Sequence, residues 1–432
     1  PSPEAEKMQN WLLDSMFETH VDLIAKGRKV DAAKARAWID NGPYTAEQAK
    51  QAGIVDAIEH RQDFEAAIKS KFGDTVAFDK KYGEPKEQEL DFSSPFALLK
   101  IWGEMLGGGA KKEDANKPAV GIVYVDGAIA LGSGDSSIFS SGGGAYSTEI
   151  RKALDEAAAD DNIKAVVLRV DSPGGSAVAS EIILDATKRV KAKKPFVVSM
   201  GNVAGSGGYY VACASDVIYA DRSTITASIG VVGGKFVTND MWKKVGITFK
   251  EYNRGKHAGL LASSHPFSDD ERRIVQGWMN DIYGVFKNHV TESRGSRLKK
   301  PIDELASGRV FTGQQALELG LVDKIGTMQD AIEFVASNAK MAEGYEVRPV
   351  PAPKNFIEKL MESSSKKDDL GHVRTALFGA PASASIVDLA MPLLQNLDPH
   401  RVQKIRAALR SLDMMQKEGV ILTTPELMMM SK

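Results

Sequence analysis

From residue 119 onward, the hydrophobic positions fall into two kinds of run. "AVGIVYVDG", "AVVLRVDSPGG" and "PFVVSMGNVAG" are apolar, rich in β-branched residues and of strand length. Between and after them, Tyr146 to Ala159, Ala177 to Lys191 and the stretch from Gly207 carry helical periods. Strand and helix in alternation predict βαβ units with right-handed crossovers. The expected fold class is α/β, a mostly parallel sheet with flanking helices. Ligands in such sheets gather at the carboxyl ends of strands. Two glycine-rich turns, "DSPGG" and "GNVAGSGG", fall there.

The pattern also repeats. Trp11 and Trp278 stand 267 residues apart, and the same offset relates Thr45 to Thr312, Gly53 to Gly320 and Asp56 to Asp323. "YTAEQAKQAGIVDAI" and "FTGQQALELGLVDKI" each read as a threonine N-cap, a short helix, a glycine C-cap and a brief buried strand. The first copy begins at its own C-terminal third. This predicts a truncated first repeat over 1–104, a Gly-rich charged linker over 105–118 and a complete unit over 118–340. The last part, 341–432, reads as a Pro-rich linker, "VRPVPAPKN", and a helical C-terminal extension.

Composition narrows the partners. Of 432 residues, 43% are apolar and 26% charged, with a formal net charge of −2, so no nucleic-acid partner is implied. No apolar run reaches the roughly 18 residues that span a bilayer, and Pro1 opens no signal pattern, so the chain as given reads as soluble. The single cysteine, Cys213, excludes an internal disulfide and reads as a buried structural thiol.

Candidate chemistry centres on Ser206 in "GNVAGSGGYYVACAS". Small neighbours let a substrate backbone approach, and a helix start supplies free N–H groups and a positive dipole end. A hydroxyl there could attack a carbonyl whose oxyanion those groups hold. The plainer alternative is a serine N-cap in a tight turn. The G-x-S-x-G elbow is not met, because Ala204 and Gly208 flank the serine two residues away on either side, and "GGKF" fails as a phosphate loop. In "DSPGG", a Pro followed by two glycines can present outward N–H groups, although alone it is a turn. A base is needed. His257 and His265 read as loop histidines without an orienting carboxylate, and Lys256 could serve if desolvation lowered its pKa.

Taken together, "VDGAI", "VLRVDSPGGSAVASE", "SMGNVAGSGGYYVACASDVIYADRSTITASIGVVG", "GKHAG" and "GRVFTGQQALELGLVDKIG" resemble the signal peptide peptidase A family of serine peptidases, over about Pro118 to Ala336 with a partial match over Pro1 to about Gly73. The resemblance implies a Clp/crotonase-like fold and a tandem-repeat family. It implies Ser206 as nucleophile, Lys256 as general base, Ser228 as its orienter, and an oxyanion hole lined by Gly174 and Gly175, with the Gly207 N–H fitting by geometry. It implies no cofactor and no metal. Long forms of the family split serine and lysine between two repeats, whereas short forms carry both in one and share sites between subunits. At the 267-residue offset the first-repeat counterparts of Ser206 and Lys256 would precede Pro1, so the short-form arrangement is the expected one. Expected partners are peptides such as cleaved signal peptides, and copies of the same chain in a ring. The expected location is the membrane of the cell envelope, reached through a segment upstream of Pro1. Crotonase-like acyl-CoA chemistry and a catalytically silent scaffold are the alternatives.

Overall fold

The computed structural model describes residues 2–42, 44, 46–59, 61–73, 75–76, 117–133, 144–244, 246, 248, 257–342, 344–352, 408–409, 412, 414–415 and 418–424. They divide into two compact units, one of residues 1–16 with 117–432 and one of residues 17–116. Helix α1 (Pro3–Arg28) runs from the first into the second.

The smaller unit is helical. Asp31 accepts a hydrogen bond from the Lys34 N–H at 2.7 Å and so caps α2 (Ala32–Asp40), the arrangement expected of an N-terminal aspartate. Val21, Ala35 and Trp38 are buried, while α3 (Ala46–Ala52) buries none of its residues. Helix α4 (Arg61–Phe72) follows.

In the larger unit, β1 (Ala119–Asp126), β2 (Ile129–Ala130) and β3 (Ala145–Tyr146) lead into α5 (Ser147–Ala159). β4 (Ile163–Ser172) and the short β5 (Gly174–Ser176) precede α6 (Ala177–Lys191), whose limits are those read from the sequence. Ser176 caps α6 by accepting from the Ala179 N–H at 3.2 Å, and Lys188, Arg189 and Lys191 complement the dipole of its last turn. β6 (Phe196–Gly205), α7 (Gly207–Ala212), β7 (Val217–Ala220), β8 (Ile225–Ala227) and β9 (Val232–Gly233) follow. After them come α8 (Asn239–Lys244), the long α9 (Asp269–Arg294), α10 (Ile302–Leu305), β10 (Val310–Thr312) and α11 (Gly313–Glu318). β11 (Lys324–Ile325), α12 (Met328–Asn338), β12 (Glu346–Pro349) and β13 (Val420–Thr423) complete the order.

The main sheet has eight strands, with the path β10-β8-β6-β4-β1-β12 and β7 and β11 off it. Its pairs are parallel except β10 with β8, so the sheet is mostly parallel as expected. Successive side chains of a strand point to opposite faces. On β4, Val166, Leu168 and Val170 pack into a core with α5, α6 and α7 residues such as Leu154, Ile183 and Tyr209. Ala165 and Val167 face Ala331, Ile332, Val335 and Ala336 of α12. Helices therefore cover both faces, which is why the strands read as unbroken apolar runs. Each fully buried Val or Leu contributes about 1.5–3 kcal/mol. Leu12 of α1 packs with Ile225 and Val310 near the β10 edge, and Trp11 meets Phe311 edge-on at 5.7 Å.

The repeat is visible in the helices. Displaced by 267 residues, α1, α3 and α4 coincide with α9, α11 and α12 to within one residue at each end. The expected buried strand after each short helix is not formed as such. Ile54 and Leu321 return their N–H groups to Ala49 and Ala316 of the preceding helices, and only Lys324 and Ile325 pair as β11. Beyond residue 352, the described part of the C-terminal extension includes helical positions such as Ala408 and Leu409, and also the strand β13, which the helical reading did not contain. The linker read over 105–118 falls outside the described residues up to residue 116.

Candidate active site

The parallel register of β6 and β8 builds the centre of the site. Val203, Ala204 and Gly205 lie opposite Ile225, Thr226 and Ala227. The next residue on each strand is a serine. Ser206 and Ser228, 22 positions apart in sequence, thus meet at the carboxyl end of the sheet, where the sequence places ligand chemistry. The Ser206 N–H donates to the Ala227 carbonyl at 2.7 Å, and the Ser228 N–H donates to that of Arg309 at 2.8 Å.

Both serines are buried and both hold φ at 51°, in the left-handed region that costs an L-residue about 1 kcal/mol; Ala227 sits there too, at 66°. Backbone strain of this kind collects at functional sites. Ser206 sits directly before α7 with ψ −111°, and its hydroxyl makes no capping hydrogen bond to that helix. The hydroxyl points instead toward the Gly230 carbonyl at 3.5 Å. Ser206 thus stands at the N-cap position without its hydroxyl capping the helix.

Gly174, Gly175 and Gly207 come together beside it. A Cβ on Gly207 would stand 3.0 Å from the Gly174 Cα and 3.2 Å from the Gly175 nitrogen. Gly174, with φ +96°, has no room for a side chain, since a Cβ would fall 2.6 Å from the Gly207 nitrogen and 2.2 Å from the Leu422 carbonyl oxygen. Its N–H donates to the Ser172 hydroxyl at 3.1 Å. Ser172 was not singled out in the sequence, although it stands one residue before the Pro-Gly-Gly turn it braces. The first N–H groups of α7 have no partner within the helix, and that of Gly207 borders this pocket. Donors converging on one small-residue pocket can hold a developing oxyanion.

A cavity of 410 Å³ opens next to Ser228, lined among others by Val231, Val232, Met279, Asn280 and Tyr283. It is large enough to take a bulky side chain. Lys256 lies outside the described residues, so its position relative to Ser206 is not part of this geometry. Of the two histidines near it in sequence, both read as lacking an orienting carboxylate, and that reading is corrected for His265, which has one in Glu271. His257 is an exposed turn residue, and His265 Nε2 contacts Glu271 Oε1 at 3.3 Å, half-exposed at the start of α9. Cys213 is fully buried, and burial pushes its thiol up to about 12, which leaves it unreactive. Among the described residues, no cluster of His, Cys, Asp and Glu could hold a metal, and no helix is long and apolar enough to cross a membrane.

A buried serine on a strained strand-to-helix turn, beside a glycine pocket, is an arrangement that suits a serine nucleophile. The sequence signature of Peptidase family S49 matches residues 1–73 and 188–342, and the chain belongs to that family. It is 28% identical over 88% of its length to the chloroplastic serine protease SPPA of Arabidopsis thaliana, and 32% identical over 77% to Protease 4 of Haemophilus influenzae. The aligned region takes in 52% of each of those two proteins, so the chain spans about half their length. Among solved structures, it shares 13% identity and a TM-score of 0.33 with a point mutant of ClpP1 from Listeria monocytogenes, over 51% of this chain and 95% of that one.

Proposed function

We propose that the chain hydrolyses peptide bonds through Ser206, with Lys256 as general base. One observation carries the reading: the Ser206 hydroxyl heads a helix without capping it, beside Ser228 and the Gly174, Gly175 and Gly207 pocket. In the first step the neutral Lys256 amine takes the Ser206 proton as Oγ attacks the carbonyl carbon. The oxygen becomes an oxyanion held by the Gly207 N–H in the pocket that Gly174 and Gly175 line, and Ser228 orients the amine. Collapse expels the amine half of the peptide, which receives the proton from the lysine. Water then attacks the acyl-serine by the same route in reverse order.

The substrates are apolar or membrane-associated peptides such as cleaved signal peptides, in keeping with the apolar residues of the cavity. The working form is a ring of copies at the membrane of the cell envelope, with Lys256 of one chain completing Ser206 of the next.

Ser206→Ala should abolish hydrolysis of an apolar peptide and labelling by a fluorophosphonate while leaving the fold intact, since no cap is lost. Residual turnover above about a tenth of the unmodified rate would remove Ser206 from the nucleophile role. Lys256→Arg should be inactive, because a guanidinium stays protonated. Mixed assemblies of Ser206→Ala and Lys256→Ala chains should recover activity if sites are shared.

A further inference from the structure

Helix α7 carries Ser206 at its head, yet the residues that follow the serine are glycines. A Cβ on Gly207 would fall 2.7 Å from the Ser180 hydroxyl, and one on Gly208 would fall 2.7 Å from the Ser172 carbonyl oxygen. The helix therefore sits close to its neighbours, but its first turn has no side chain with which to hold them. The next two residues supply the grip. Tyr209 and Tyr210 are both buried, and their hydroxyls donate to separate parts of the fold, Tyr209 to the Leu321 carbonyl at 2.8 Å and Tyr210 to Glu181 of α6. The Tyr210 N–H also donates to the Ser206 carbonyl at 2.8 Å. This tyrosine is thus tied by its backbone to the serine and by its side chain to α6.

Glu181 is the hub of a polar cluster that joins α6, α7 and α9. Its Oε2 accepts from the Tyr210 hydroxyl and lies 3.1 Å from His289 Nε2 on α9. The other ring nitrogen, Nδ1, stands 3.3 Å from the ammonium of Lys188, two turns along α6 from Glu181. An ammonium can only donate, so Nδ1 accepts, and Nε2 carries the proton that Glu181 receives. The Tyr210 ring packs against Phe286 at 4.7 Å and edge-on to His289 at 5.4 Å. Burial first, and then Glu181, push the Tyr210 phenol up, so it keeps its proton and remains the donor at neutral pH. Glu181 reaches in from the surface with half of its side chain exposed. Its charge is screened there, and what it offers α7 is a fixed oxygen.

We propose that Tyr210, Glu181 and His289 are positioning residues for the serine: one carboxylate oxygen, held in place by His289, grips the Tyr210 hydroxyl and sets the rotation of α7 that aims the Ser206 hydroxyl and the Gly207 N–H. The effect on rate rests on the peptidase reading, while the clamp itself rests on the hydrogen bonds. Both donors meet the same oxygen, so the clamp depends on the reach of residue 181 and not on its charge. A displacement of about 1 Å at reacting groups can cost on the order of a hundredfold in rate.

The test is a set of substitutions in the full chain. Glu181→Gln keeps an oxygen at the same reach without the charge, whereas Glu181→Asp keeps the charge and is one methylene short. Tyr210→Phe removes only the hydroxyl and leaves the ring against Phe286. The readouts are kcat and KM for an apolar peptide, the rate of labelling by a fluorophosphonate, and native-state hydrogen exchange at the Tyr210 and Val211 N–H groups of α7. Tyr210→Phe and Glu181→Asp should lower kcat and the labelling rate about ten- to a hundredfold with KM little changed, and should speed exchange in α7 about tenfold. Glu181→Gln should stay within about threefold of the unmodified chain in all of them. His289→Leu takes away one of the two donors on the shared oxygen and should fall between these limits. Should Tyr210→Phe lack a cooperative unfolding transition, the Glu181 pair decides, because that side chain lies at the surface.

Full turnover in the Glu181→Asp chain overturns the inference whatever its exchange. So does an active Asp variant beside an inactive Gln variant, since charge and not reach would then be what matters. If α7 exchange follows the expected order while no form, the unmodified chain included, reacts with a fluorophosphonate, the clamp stands and the chemistry assigned to the serine fails.

Discussion

The two copies of the repeat contain the same small constellation in opposite surroundings. In the first, Arg28 holds Asp56 through two contacts of 2.8 Å and donates to the Gly53 carbonyl at 2.9 Å. In the second, Arg294 holds Asp323 at 2.9 and 3.1 Å and donates to the Gly320 carbonyl at 3.1 Å. The glycines and aspartates are equivalent at the 267-residue offset, while the arginines differ by one position. Asp56 has 86% of its side chain exposed, whereas the Arg294 side chain is fully buried near Leu321 and Tyr209, whose hydroxyl donates to the Leu321 carbonyl at 2.8 Å. Geometry alone therefore says little about what such a pair contributes. Water decides: it screens the first pair and is shut out from the second.

The largest effect should come from removing the buried partner. Arg294→Ala takes the buried cation from Asp323, which keeps only the partly exposed Arg297 at 3.4 Å, and should cost about 3 kcal/mol, read as a drop in the unfolding midpoint of the larger unit. Arg28→Ala, at the exposed counterpart, should leave the unfolding midpoint of its own, smaller unit where it is. Equal effects at the two sites would show that burial is not what separates the copies.

A smaller effect should separate the glycines. Gly53 and Gly320 hold φ at +79° and +77°, but the nearest atom to a Cβ on Gly53 is 4.0 Å away, while on Gly320 it would fall 1.9 Å from the Arg297 carbonyl oxygen. Gly53→Ala should cost about 1 kcal/mol, the penalty of a left-handed Cβ, and Gly320→Ala about 3 kcal/mol once the carbonyl is displaced. Chemical denaturation of the two variants measures the gap.

The smallest effect concerns the long helices. Ser2 accepts from the Ala5 N–H at 3.2 Å at the start of α1, and nothing at Ala5 can answer. At the start of α9, Ser268 caps Glu271 and the Glu271 carboxylate accepts from the Ser268 N–H at 2.8 Å, a closed capping box. That backbone hydrogen bond, with help from His265 and the Ser268 hydroxyl, holds Glu271 down at about 2. A carboxylate held below its ordinary value near 4.3 lends stability that is complete above that pH and is lost as pH falls toward about 2. Glu271→Gln should flatten the loss of stability across this window. An unchanged acid slope would remove the box from the account.

The sequence made the local parts of this fold legible and left the long-range parts hidden. The helical period over Ala177 to Lys191 placed α6, and the apolar run "PFVVSMGNVAG" ended where β6 ends, at Gly205. That Ser206 meets Ser228 depends on β6 and β8 being parallel neighbours. Here the family resemblance supplied what spacing could not. Lys256 was one candidate base among three until the same resemblance singled it out, and it lies outside the described residues. β13 went unread because "VILT" is only four residues long, stands among Met-rich helical stretches, and pairs with strands some 190 to 250 positions earlier.

The left-handed backbone at Ser206 and Ser228 has a consequence for anyone who tries to toughen this protein. Glycine holds φ near 51° without the penalty a Cβ incurs, so Ser206→Gly and Ser228→Gly chains should melt as high as the parent or higher. A screen that rewards heat resistance and never asks for turnover would drift toward glycine at both positions. It would return a sturdier fold with the proposed hydroxyls gone, so durability and reactivity pull in opposite directions at these two residues.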